Sequence, residues 1–526
     1  MKSTPITFNT HPHEACGIAA VYLKKELSHY PPGGAAFFLQ KMLQQLQHRG
    51  QLSAGISTYH EKRVPLIRTH KGNGLVHEVF SLGDTEKGKN TLTQNEGTIG
   101  IGHTRYSTSG SNTCDDAQPF ERTHARMWKW FAYAFNGTIT NAPHIREHLV
   151  KESYYFHGKS DTETLMHLIA HQLGSDEPRP IENAFHDLFE QAEGAYSLAF
   201  INAMGELVLA RDPKGFKPLC YVDTPDFFLA ASENCAILPF VPNGIHDIKP
   251  GEILRVHHNK LTHTRYMGTH EQSAHCMFEW VYFASAGSTL STRPVYETRY
   301  QLGVQLAQNE KIKTNRTDYI VVNVPDTSKP AADGYAYTLN LPAKEGLLRN
   351  RYIGRTFIEG GEWQDKIKEK FTINASVLKG KKVILVEDSL VRGNTLRILA
   401  ERIRKEGKAL EVHARISCPP ILHPCFYGID MTTYKELAAV PYAQTITQEK
   451  EEIIHTIEKK LAHEIGVETL HYQTLKGLFT ALQLDEEHLC TACLTGKYPT
   501  QTGEELRRIT WEKYLHHADE SRSYDG

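Results

Sequence analysis

The chain has 526 residues, 40% of them hydrophobic and 23% charged, with a formal net charge of −2. A chain of this length is too long for a single hydrophobic core, so we expect two or three domains. The near-neutral charge argues against a strongly basic protein that binds nucleic acid or a membrane surface. Residues 1–15 contain no apolar segment of the secretory type, and no apolar run is long enough to span a bilayer, so we expect a cytoplasmic protein.

The N-terminal half, up to about Leu254, has the pattern of β-strands with a few helices. Short apolar or alternating runs such as GIAAVYL and AYSLAFINA are separated by Gly, Asn, Asp and Pro, which is typical of strands joined by turns. FLQKMLQQLQHRG predicts a helix that ends at Gly50, and DTETLMHLIAHQLG predicts one that ends at Gly174. The pattern favours helices outside antiparallel sheets over residues 16–254, followed by a linker at 255–275.

Beyond Cys276 the pattern changes to apolar strand, loop and helix. DYIVVNV and KKVILV are continuously apolar, as strands of a parallel sheet covered on both faces are. LRILAERIRKEG has helical spacing and ends at Gly407. We therefore expect an α/β domain over residues 276–475 and a helical tail over 476–526.

The run VILVEDSLVRGNT, from Val383 to Thr395, is the strongest local signal of a binding site. A buried strand ends on Glu387 and Asp388, and open α/β sheets hold ligands at the carboxyl ends of their strands. The small-residue turn that follows opens a helix, so its backbone N–H groups can attract a phosphate. Two carboxylates beside such a turn suit a pair of sugar hydroxyls and a Mg²⁺ ion. Taken alone, the carboxylate pair is more typical of an ordinary exposed loop.

The whole run resembles the signature of the phosphoribosyltransferase family, whose type I members bind 5-phosphoribosyl-1-diphosphate (PRPP) on an α/β fold with a parallel sheet. The resemblance implies that the acidic pair binds the ribose hydroxyls and Mg²⁺, and that the following loop holds the 5′-phosphate. Amidotransferase members usually have Asp where Glu387 stands, so the reach of one carboxylate toward the metal differs here. The implied PRPP-binding residues in this run are Glu387, Asp388, Ser389, Arg392, Gly393, Asn394 and Thr395.

Two further segments resemble loops of the same family. VPDTSKPAADGYA follows a strand and matches the diphosphate-side loop, with Ser328 at a position that binds the metal. GLLRNRYIGRTFI carries Arg349 and Tyr352, both predicted to bind PRPP, and two more arginines, Arg351 and Arg355. Guanidinium groups suit bidentate recognition of phosphate. The segment is therefore either a lid that closes on diphosphate and excludes water, or a solvated basic loop.

Five motifs in the N-terminal half occur in a fixed order, namely LQHRGQLSAGIS, GIGHTRYSTSG, FNGTITN, SDTETL and RDPKGFKPL. Each motif alone is weak, because Asn-Gly and Gly-Ser-rich pieces usually mark turns. In this order they resemble the glutaminase domain of class II glutamine amidotransferases. That resemblance implies an N-terminal-nucleophile hydrolase sandwich, with layers α, β, β, α, and a catalytic cysteine at the mature N-terminus.

Cys16, within THPHEACGIAAVY, has two interpretations. On its own it is a small hydrophobe at the start of a buried strand. With the five motifs it is the nucleophile, and removal of residues 1–15 as a propeptide would free an α-amino group, with a pKa of roughly 7.7–8.0, to act as its base. The resemblance also implies that Arg105 holds the glutamine carboxylate and Asp161 the α-amino group. The remaining assignments are Asn136 and Gly137 for the oxyanion hole and Arg49 for glutamine binding.

A glutaminase half followed by a phosphoribosyl half resembles the amidophosphoribosyltransferase family, from Cys16 to about Pro499. FEWVYFASAGSTL, VYETRYQLG and HPCFYGIDMTTYKEL add to the match. The resemblance implies conversion of glutamine and PRPP to 5-phosphoribosylamine, diphosphate and glutamate, the first step of de novo purine synthesis, by a homotetramer that purine nucleotides inhibit. The family's Arg-Pro-Asp is replaced by Ser285-Ala286-Gly287, which affects local contacts at the domain interface or a regulatory site.

The chain has nine cysteines, an odd number in a large chain, so we do not expect a disulfide framework. Cys490 and Cys493 form CTAC, while Cys425 and Cys276 lie far upstream. Four such cysteines suit a zinc ion or a [4Fe–4S] cluster, and composition does not choose between them. One subgroup of the family, which also makes a cleavable propeptide, carries a structural [4Fe–4S] cluster at the four matching positions, so the resemblance favours the cluster.

Two other functions stay open at this point. A regulator that senses PRPP would keep the same domains and lose catalysis, although Cys16 and both acidic residues are present. An asparagine synthetase or a glucosamine-phosphate synthase would share the glutaminase half, but the PRPP loop argues against either.

Overall fold

The computed structural model describes residues 16–106, 116–158, 160–174, 177–266, 272–350, 363–443 and 450–516. Within these ranges, none of the helices combines the length and the apolar character that crossing a membrane requires.

The first domain contains two antiparallel sheets. Its strands are β1 (Gly17–Leu23), β2 (Ser53–Tyr59), β3 (Ile67–Asn73), β4 (Ile99–Arg105), β5 (Phe120–Arg122), β6 (Phe131–Ile139), β7 (Gly194–Asn202), β8 (Leu207–Arg211), β9 (Cys220–Asp223), β10 (Phe227–Ala231), β11 (His246–Asp247), β12 (Glu252–His257) and β13 (Lys260–Arg265). The first sheet has the order β11-β9-β10-β1-β4-β2-β3, and the second has the order β13-β12-β8-β7-β6-β5.

Helices cover the outer faces of both sheets. They are α1 (Ala35–Gln45), α2 (Val76–Val79), α3 (Thr85–Gln94), α4 (Ala142–Lys151), α5 (Asp161–Gln172) and α6 (Ile181–Gln191). The helix expected to end at Gly50 is α1, which ends at Gln45, and the one expected to end at Gly174 is α5, which ends at Gln172.

Side chains alternate along β1 between two cores, which explains the layering. Ile18 and Ala20 belong to the core between the two sheets, whereas Ala19 and Val21 belong to the core beneath α1. A third core lies between the second sheet and α4, α5 and α6. The layers are therefore α, β, β, α, as the resemblance to class II glutamine amidotransferases implies.

The predicted boundary at Leu254 is wrong. β12 and β13 form a hairpin in which Glu252 pairs with Arg265, so the first domain extends through most of the predicted linker at 255–275. β13 lies at the edge of its sheet and most of its side chains are polar and only partly buried. A strand with one partner and polar side chains has the composition of a linker, so the sequence pattern wrongly predicted a linker here.

The second domain contains a four-stranded parallel sheet of order β17-β20-β21-β22, as expected, and three two-stranded sheets. Its strands are β14 (His275–Cys276), β15 (Thr289–Leu290), β16 (Arg293–Pro294), β17 (Tyr319–Asn323), β18 (Leu347–Arg349), β19 (Phe371–Ile373), β20 (Lys382–Glu387), β21 (Glu411–Ile416), β22 (Thr469–Tyr472) and β23 (Leu489–Cys490).

A π-helical turn, Glu279–Phe283, precedes the helices of this domain. They are α7 (Val295–Gln308), α8 (Lys329–Thr338), α9 (Trp363–Lys370), α10 (Ala375–Leu378), α11 (Asn394–Lys405), α12 (Val440–Ala443) and α13 (Lys450–Ile465), and the tail adds α14 (Leu475–Leu482), α15 (Ala492–Thr495) and α16 (Gln501–Leu515).

Candidate active sites

Cys16 lies at the start of β1, beside the end of β4. Gly17 pairs with Thr104 in the β1–β4 ladder, which places Cys16 next to Arg105. The Cys16 thiol is partly buried, and its sulfur lies 3.9 Å from the carbonyl oxygen of Tyr106. The predicted nucleophile and the arginine predicted to hold the glutamine carboxylate are thus neighbours across one ladder.

Arg49 is buried behind Cys16, and its guanidinium is already engaged. Nε donates to the carbonyl oxygen of Cys16 at 3.1 Å, and the terminal nitrogens donate to Glu233 at 2.6 Å and to both oxygens of Glu279 at 3.0 Å. Burial alone would lower the pKa of Arg49, but the carboxylates of Glu279 and Glu233 outweigh it and raise that pKa. The prediction that Arg49 binds glutamine remains untested, and this geometry favours support of Cys16 instead.

Glu279 belongs to the second domain, so Arg49 links the two domains. Lys217, fully buried on the first domain, lies 3.7 Å from the same carboxylate. Glu233 on the first domain accepts from the backbone N–H of Ser285 at 2.9 Å and from the hydroxyl of Ser288 at 2.6 Å. The segment that departs from the family pattern, Ser285-Ala286-Gly287, therefore lies at the domain interface.

Asn136 and Gly137 lie on β6, in the second sheet. Gly137 has φ +149°, and a Cβ there would lie 1.8 Å from the carbonyl oxygen of Ala195, so only glycine fits. The side-chain nitrogen of Asn136 is buried and has no hydrogen-bond partner among the described residues. Because a buried unpaired amide is costly, this nitrogen is a donor available to a ligand oxygen.

Arg105 is buried, and Asp161 is partly buried. Asp161 begins α5, and its carboxylate accepts from the backbone N–H of Ile139, three residues beyond Asn136 on β6, at 3.2 Å. Burial raises the pKa of Asp161 to about 6. Arg105 lies 3.9 Å from the carboxylate of Asp116. Strands β1, β4 and β6 therefore carry or adjoin Cys16, Arg105, Asn136 and Gly137, and the start of α5 carries Asp161. Arg49 lies behind Cys16.

A cavity lies at the carboxyl end of β20. Most of the predicted PRPP-binding residues line it, and Tyr282 and Lys370, which the sequence did not single out, line it too. Asn394 is the first residue of α11 and is outside the lining set. Tyr352, Arg351 and Arg355 lie outside the described residues. The predicted residues that line the cavity are Arg349, Glu387, Asp388, Ser389, Arg392, Gly393 and Thr395.

Asp388 of the acidic pair is buried among hydroxyl groups, and Glu387 is partly buried. Asp388 accepts from Thr327 at 2.5 Å and from Ser389 at 2.7 Å. Burial raises the pKa of Asp388, and burial together with the neighbouring Asp388 charge raises the pKa of Glu387 well above its ordinary value. Two such carboxyls favour a bound cation, since a cation would relieve their mutual repulsion.

Ser328 is predicted to bind the metal, and that role stays a prediction. Its hydroxyl is buried and donates to the carbonyl oxygen of Val324 at 2.6 Å, because Ser328 precedes α8 and faces back into its own turn. The neighbouring Thr327 supplies the hydroxyl that reaches Asp388.

Arginines flank the cavity on two sides. Arg349 donates to Asp326 at 2.7 Å, and Arg392 pairs with Glu436. Gly393, with φ +76°, caps the start of α11, whose N-terminal N–H groups are suited to an anion.

The four cysteines predicted to hold a metal converge at the domain interface. Cys276 and Cys490 are opposite each other in the parallel β14–β23 pair, and Cys493 follows in α15. All four are buried, and burial raises the pKa of Cys276 to about 12, with Lys217 and the neighbouring Cys425 acting on the same thiol. No three of the four sulfurs lie within 4.8 Å of one another.

Several functional residues were missed at the sequence level. Glu279 and Tyr282 belong to FEWVYFASAGSTL, and Lys217 belongs to RDPKGFKPL, so both motifs were noted without roles. A charged residue inside an apolar run is a usable signal, since buried charges require partners.

Comparison with known proteins agrees with this two-site arrangement. Residues 103–239 match the model of a glutamine amidotransferase domain. The amidophosphoribosyltransferase of Methanothermobacter thermautotrophicus is 37% identical over 494 residues, covering 93% of this chain and 95% of that protein. The amidophosphoribosyltransferase of Bacillus subtilis is 34% identical over 496 residues, covering 93% and 95%.

Solved structures agree as well. The structure of glutamine PRPP amidotransferase from B. subtilis complexed with ADP and GMP matches with a TM-score of 0.77 at 32% identity, covering 93% of this chain and 98% of that one. Because the similarity extends over both domains and their order, the chain belongs to the amidophosphoribosyltransferase family.

Proposed function

We infer that the chain transfers the amide nitrogen of glutamine to C1 of PRPP, giving 5-phosphoribosylamine, diphosphate and glutamate, the first step of de novo purine synthesis. The observation that carries this inference is the joining of two sites by one buried ion pair. Arg49 holds the carbonyl group of Cys16 and pairs with Glu279 of the phosphoribosyl domain.

The glutaminase residues can complete one acyl transfer. Arg105 pairs with the substrate carboxylate and Asp161 with its ammonium group. The Cys16 sulfur attacks the side-chain amide, and the Asn136 amide and the Gly137 N–H stabilise the oxyanion. The thiol proton passes to the α-amino group of Cys16 and then to the leaving ammonia; water releases glutamate from the thioester.

The phosphoribosyl residues can hold the acceptor. Glu387 and Asp388 bind the ribose hydroxyls, and the backbone from Ser389 to Thr395 surrounds the 5′-phosphate at the start of α11. Arg349 faces the diphosphate. A Mg²⁺ ion held by the acidic pair would neutralise charge on the diphosphate leaving group. Ammonia then forms the C1–N bond as the C1–O bond to diphosphate breaks.

A coupled assay tests the function. Purified chain receives glutamine, PRPP and Mg²⁺, and glutamate and diphosphate are measured together. We expect glutamate and diphosphate to form in equal amounts and PRPP to accelerate glutamate release. If PRPP does not change the rate of glutamate release and no diphosphate forms, the proposed function is contradicted. If the chain binds PRPP but forms neither product, it is a PRPP sensor.

We propose that Cys276, Cys425, Cys490 and Cys493 hold a structural [4Fe–4S] cluster. The site is buried and built from four thiols, which suits a cluster. Cys276 and Cys490 lie opposite each other in the β14–β23 pair. The family resemblance favours a cluster over a zinc ion at these four positions.

Metal analysis of protein purified without oxygen tests the cluster. We expect iron and acid-labile sulfide in equal amounts and a brown colour, both lost in Cys490→Ser. Cys418→Ser is the matched control, because Cys418 is buried near Cys493 but outside the proposed ligand set, and it should keep its iron. A colourless, zinc-loaded protein overturns the proposal.

We also propose that residues 1–15 are removed between Ala15 and Cys16, which creates the α-amino base. Active protein whose mass still includes Met1 contradicts this. Inhibition by purine nucleotides is proposed because the similar B. subtilis enzyme was solved with ADP and GMP. A homotetramer and a cytoplasmic location stay predictions, the first testable by sedimentation.

A further inference from the structure

Phe135, the residue immediately before Asn136, has its backbone held by two side chains. β5 pairs with β6 only from Phe120 opposite Tyr133 to Arg122 opposite Phe131. Beyond Phe120 the same register would place Gln118 opposite Phe135, where no strand continues. The side chain of Gln118 replaces the missing strand, because its oxygen accepts from the N–H of Phe135 at 2.7 Å.

His103 holds the other polar group of the same residue. Its Nε2 lies 3.1 Å from the carbonyl oxygen of Phe135, and only a protonated nitrogen can bond to a carbonyl, so the proton is on Nε2. His103 belongs to β4 of the first sheet, whereas Phe135 belongs to β6 of the second. This bond therefore fixes one sheet against the other directly beside Asn136.

The Nε2–H group of His103 donates its hydrogen bond independently of pH. The ring is fully buried, its Nδ1 has no hydrogen-bond partner among the described residues, and burial lowers its pKa to about 3. The ring is therefore neutral at every working pH, which excludes a role as a titrating acid or base of the reaction. What remains is its Nε2–H bond to the backbone of β6.

We propose that His103, assisted by Gln118, is a positioning residue that aims the side chain of Asn136 at the oxyanion formed during glutamine hydrolysis. Asn136 has no side-chain hydrogen bond from its nitrogen among the described residues, so the backbone of β6 must set its direction. The proposal rests on the proposed role of Asn136. It implies that loss of the His103 bond weakens stabilisation of the transition state and leaves binding of glutamine intact.

The first test compares His103→Leu with His103→Gln. Glutamine places an N–H near the position of Nε2, whereas leucine fills the volume without a donor. In processed chain, identified by its mass, we expect His103→Leu to lower kcat for glutamine by about tenfold to a hundredfold with little change in KM, since small misplacements of catalytic groups cost about that much. His103→Gln should recover most of kcat, and the ammonia-dependent reaction should be unchanged in both variants.

Ile201→Ala is the control for general loosening, because Ile201 belongs to the same core between the sheets and does not contact Phe135 through a hydrogen bond. It should lower the unfolding temperature without the selective loss of kcat. A His103→Leu variant that raises KM at constant kcat, or a His103→Gln variant as impaired as His103→Leu, overturns the proposal.

A double-mutant cycle separates this inference from the proposed function. If His103 acts through Asn136, then His103→Leu should change kcat by less than about twofold when added to Asn136→Ala. Additive losses overturn the positioning role and leave Asn136 in place. Full glutaminase activity in Asn136→Ala instead refutes the role proposed for Asn136.

Discussion

The two active sites differ in how their charged side chains are buried and paired. In the glutaminase half, Arg49 and Glu279 are 0% and 1% exposed, and the guanidinium of Arg49 donates four hydrogen bonds. In the phosphoribosyl half, Arg349 and Asp326 are 28% and 52% exposed, and two adjacent carboxyls have raised pKa values. The first site is assembled before its substrate arrives, whereas the second contains like charges that a ligand would neutralise.

The difference implies a one-way dependence between the domains. The carbonyl of Cys16 is held by an arginine whose partner, Glu279, belongs to the phosphoribosyl domain. Asp388 is held by Thr327 and Ser389 of its own domain. Damage to the interface should therefore reduce the use of glutamine more than the use of free ammonia.

Removal of the proposed nucleophile should give the largest effect. We expect Cys16→Ala to lower glutamine-dependent synthesis by at least about 10⁴-fold, because no other group forms the thioester. Ammonia-dependent synthesis should continue at the wild-type rate. The two rates are measured on one preparation, and loss of both would show that the sites are not separate.

Neutralising the acidic pair should remove both activities together. We expect Asp388→Asn to lower glutamine- and ammonia-dependent synthesis by about a hundredfold each, since both reactions use the same acceptor site. Glu387→Asp, which restores the residue usual in the family, should stay within about tenfold of wild type and shift the Mg²⁺ requirement. Selective loss of the glutamine reaction in Asp388→Asn would refute the assignment of the pair to PRPP.

Breaking the interdomain ion pair should produce a smaller and selective loss. Glu279→Gln leaves the charges of Arg49 and Lys217 buried with less compensation, so the free energy of unfolding should fall by about 3–5 kcal/mol. Glu411→Gln is the control, because the Lys382–Glu411 pair is 30% and 31% exposed and should contribute less than about 1 kcal/mol.

Denaturant unfolding and the two rates decide the outcome for Glu279→Gln. We expect the ratio of glutamine-dependent to ammonia-dependent synthesis to fall by about tenfold, because Cys16 loses its support. An unchanged ratio would contradict the one-way dependence.

Local patterns predicted helices outside antiparallel sheets and the parallel sheet of the second domain, because strand alternation and turn residues are encoded close together in the chain. They also located the strands beside Cys16 and Asp388, whereas the αββα layers and the roles of the site residues were implied by the family resemblance. The partner of Arg49 could not be predicted in this way. Glu279 is 230 positions away, and only the docking of two domains brings the residues together.

Sequence reasoning does not decide between neighbouring residues of the same chemistry, and it fails where composition is ambiguous. Ser328 and Thr327 both carry a hydroxyl, and the turn before α8 decides which one faces Asp388. β13 is polar because it lies at a sheet edge, so it resembles a linker. Neither outcome depends on residue type alone.

The titration of Asp161 gives the smallest expected effect, a dependence of the KM for glutamine on pH. Burial raises its pKa from 3.8 to about 6, so the carboxyl is ionised above that pH and becomes neutral as the pH falls through it. Only the ionised form pairs with the ammonium group of glutamine. We therefore expect KM for glutamine to be constant above about pH 7 and to rise about tenfold for each pH unit below about 6, with kcat less affected.

The comparison with Asp161→Asn isolates this titration from that of the acidic pair. The variant should have a raised KM that does not change between about pH 5 and 8, because its amide does not titrate. Dividing the KM of the variant by that of the wild type at each pH removes any effect of Glu387 and Asp388, which both proteins share. A ratio that stays constant through pH 6 would contradict the role of Asp161, whereas a ratio that falls toward acid pH identifies its carboxylate as the partner of the substrate ammonium group.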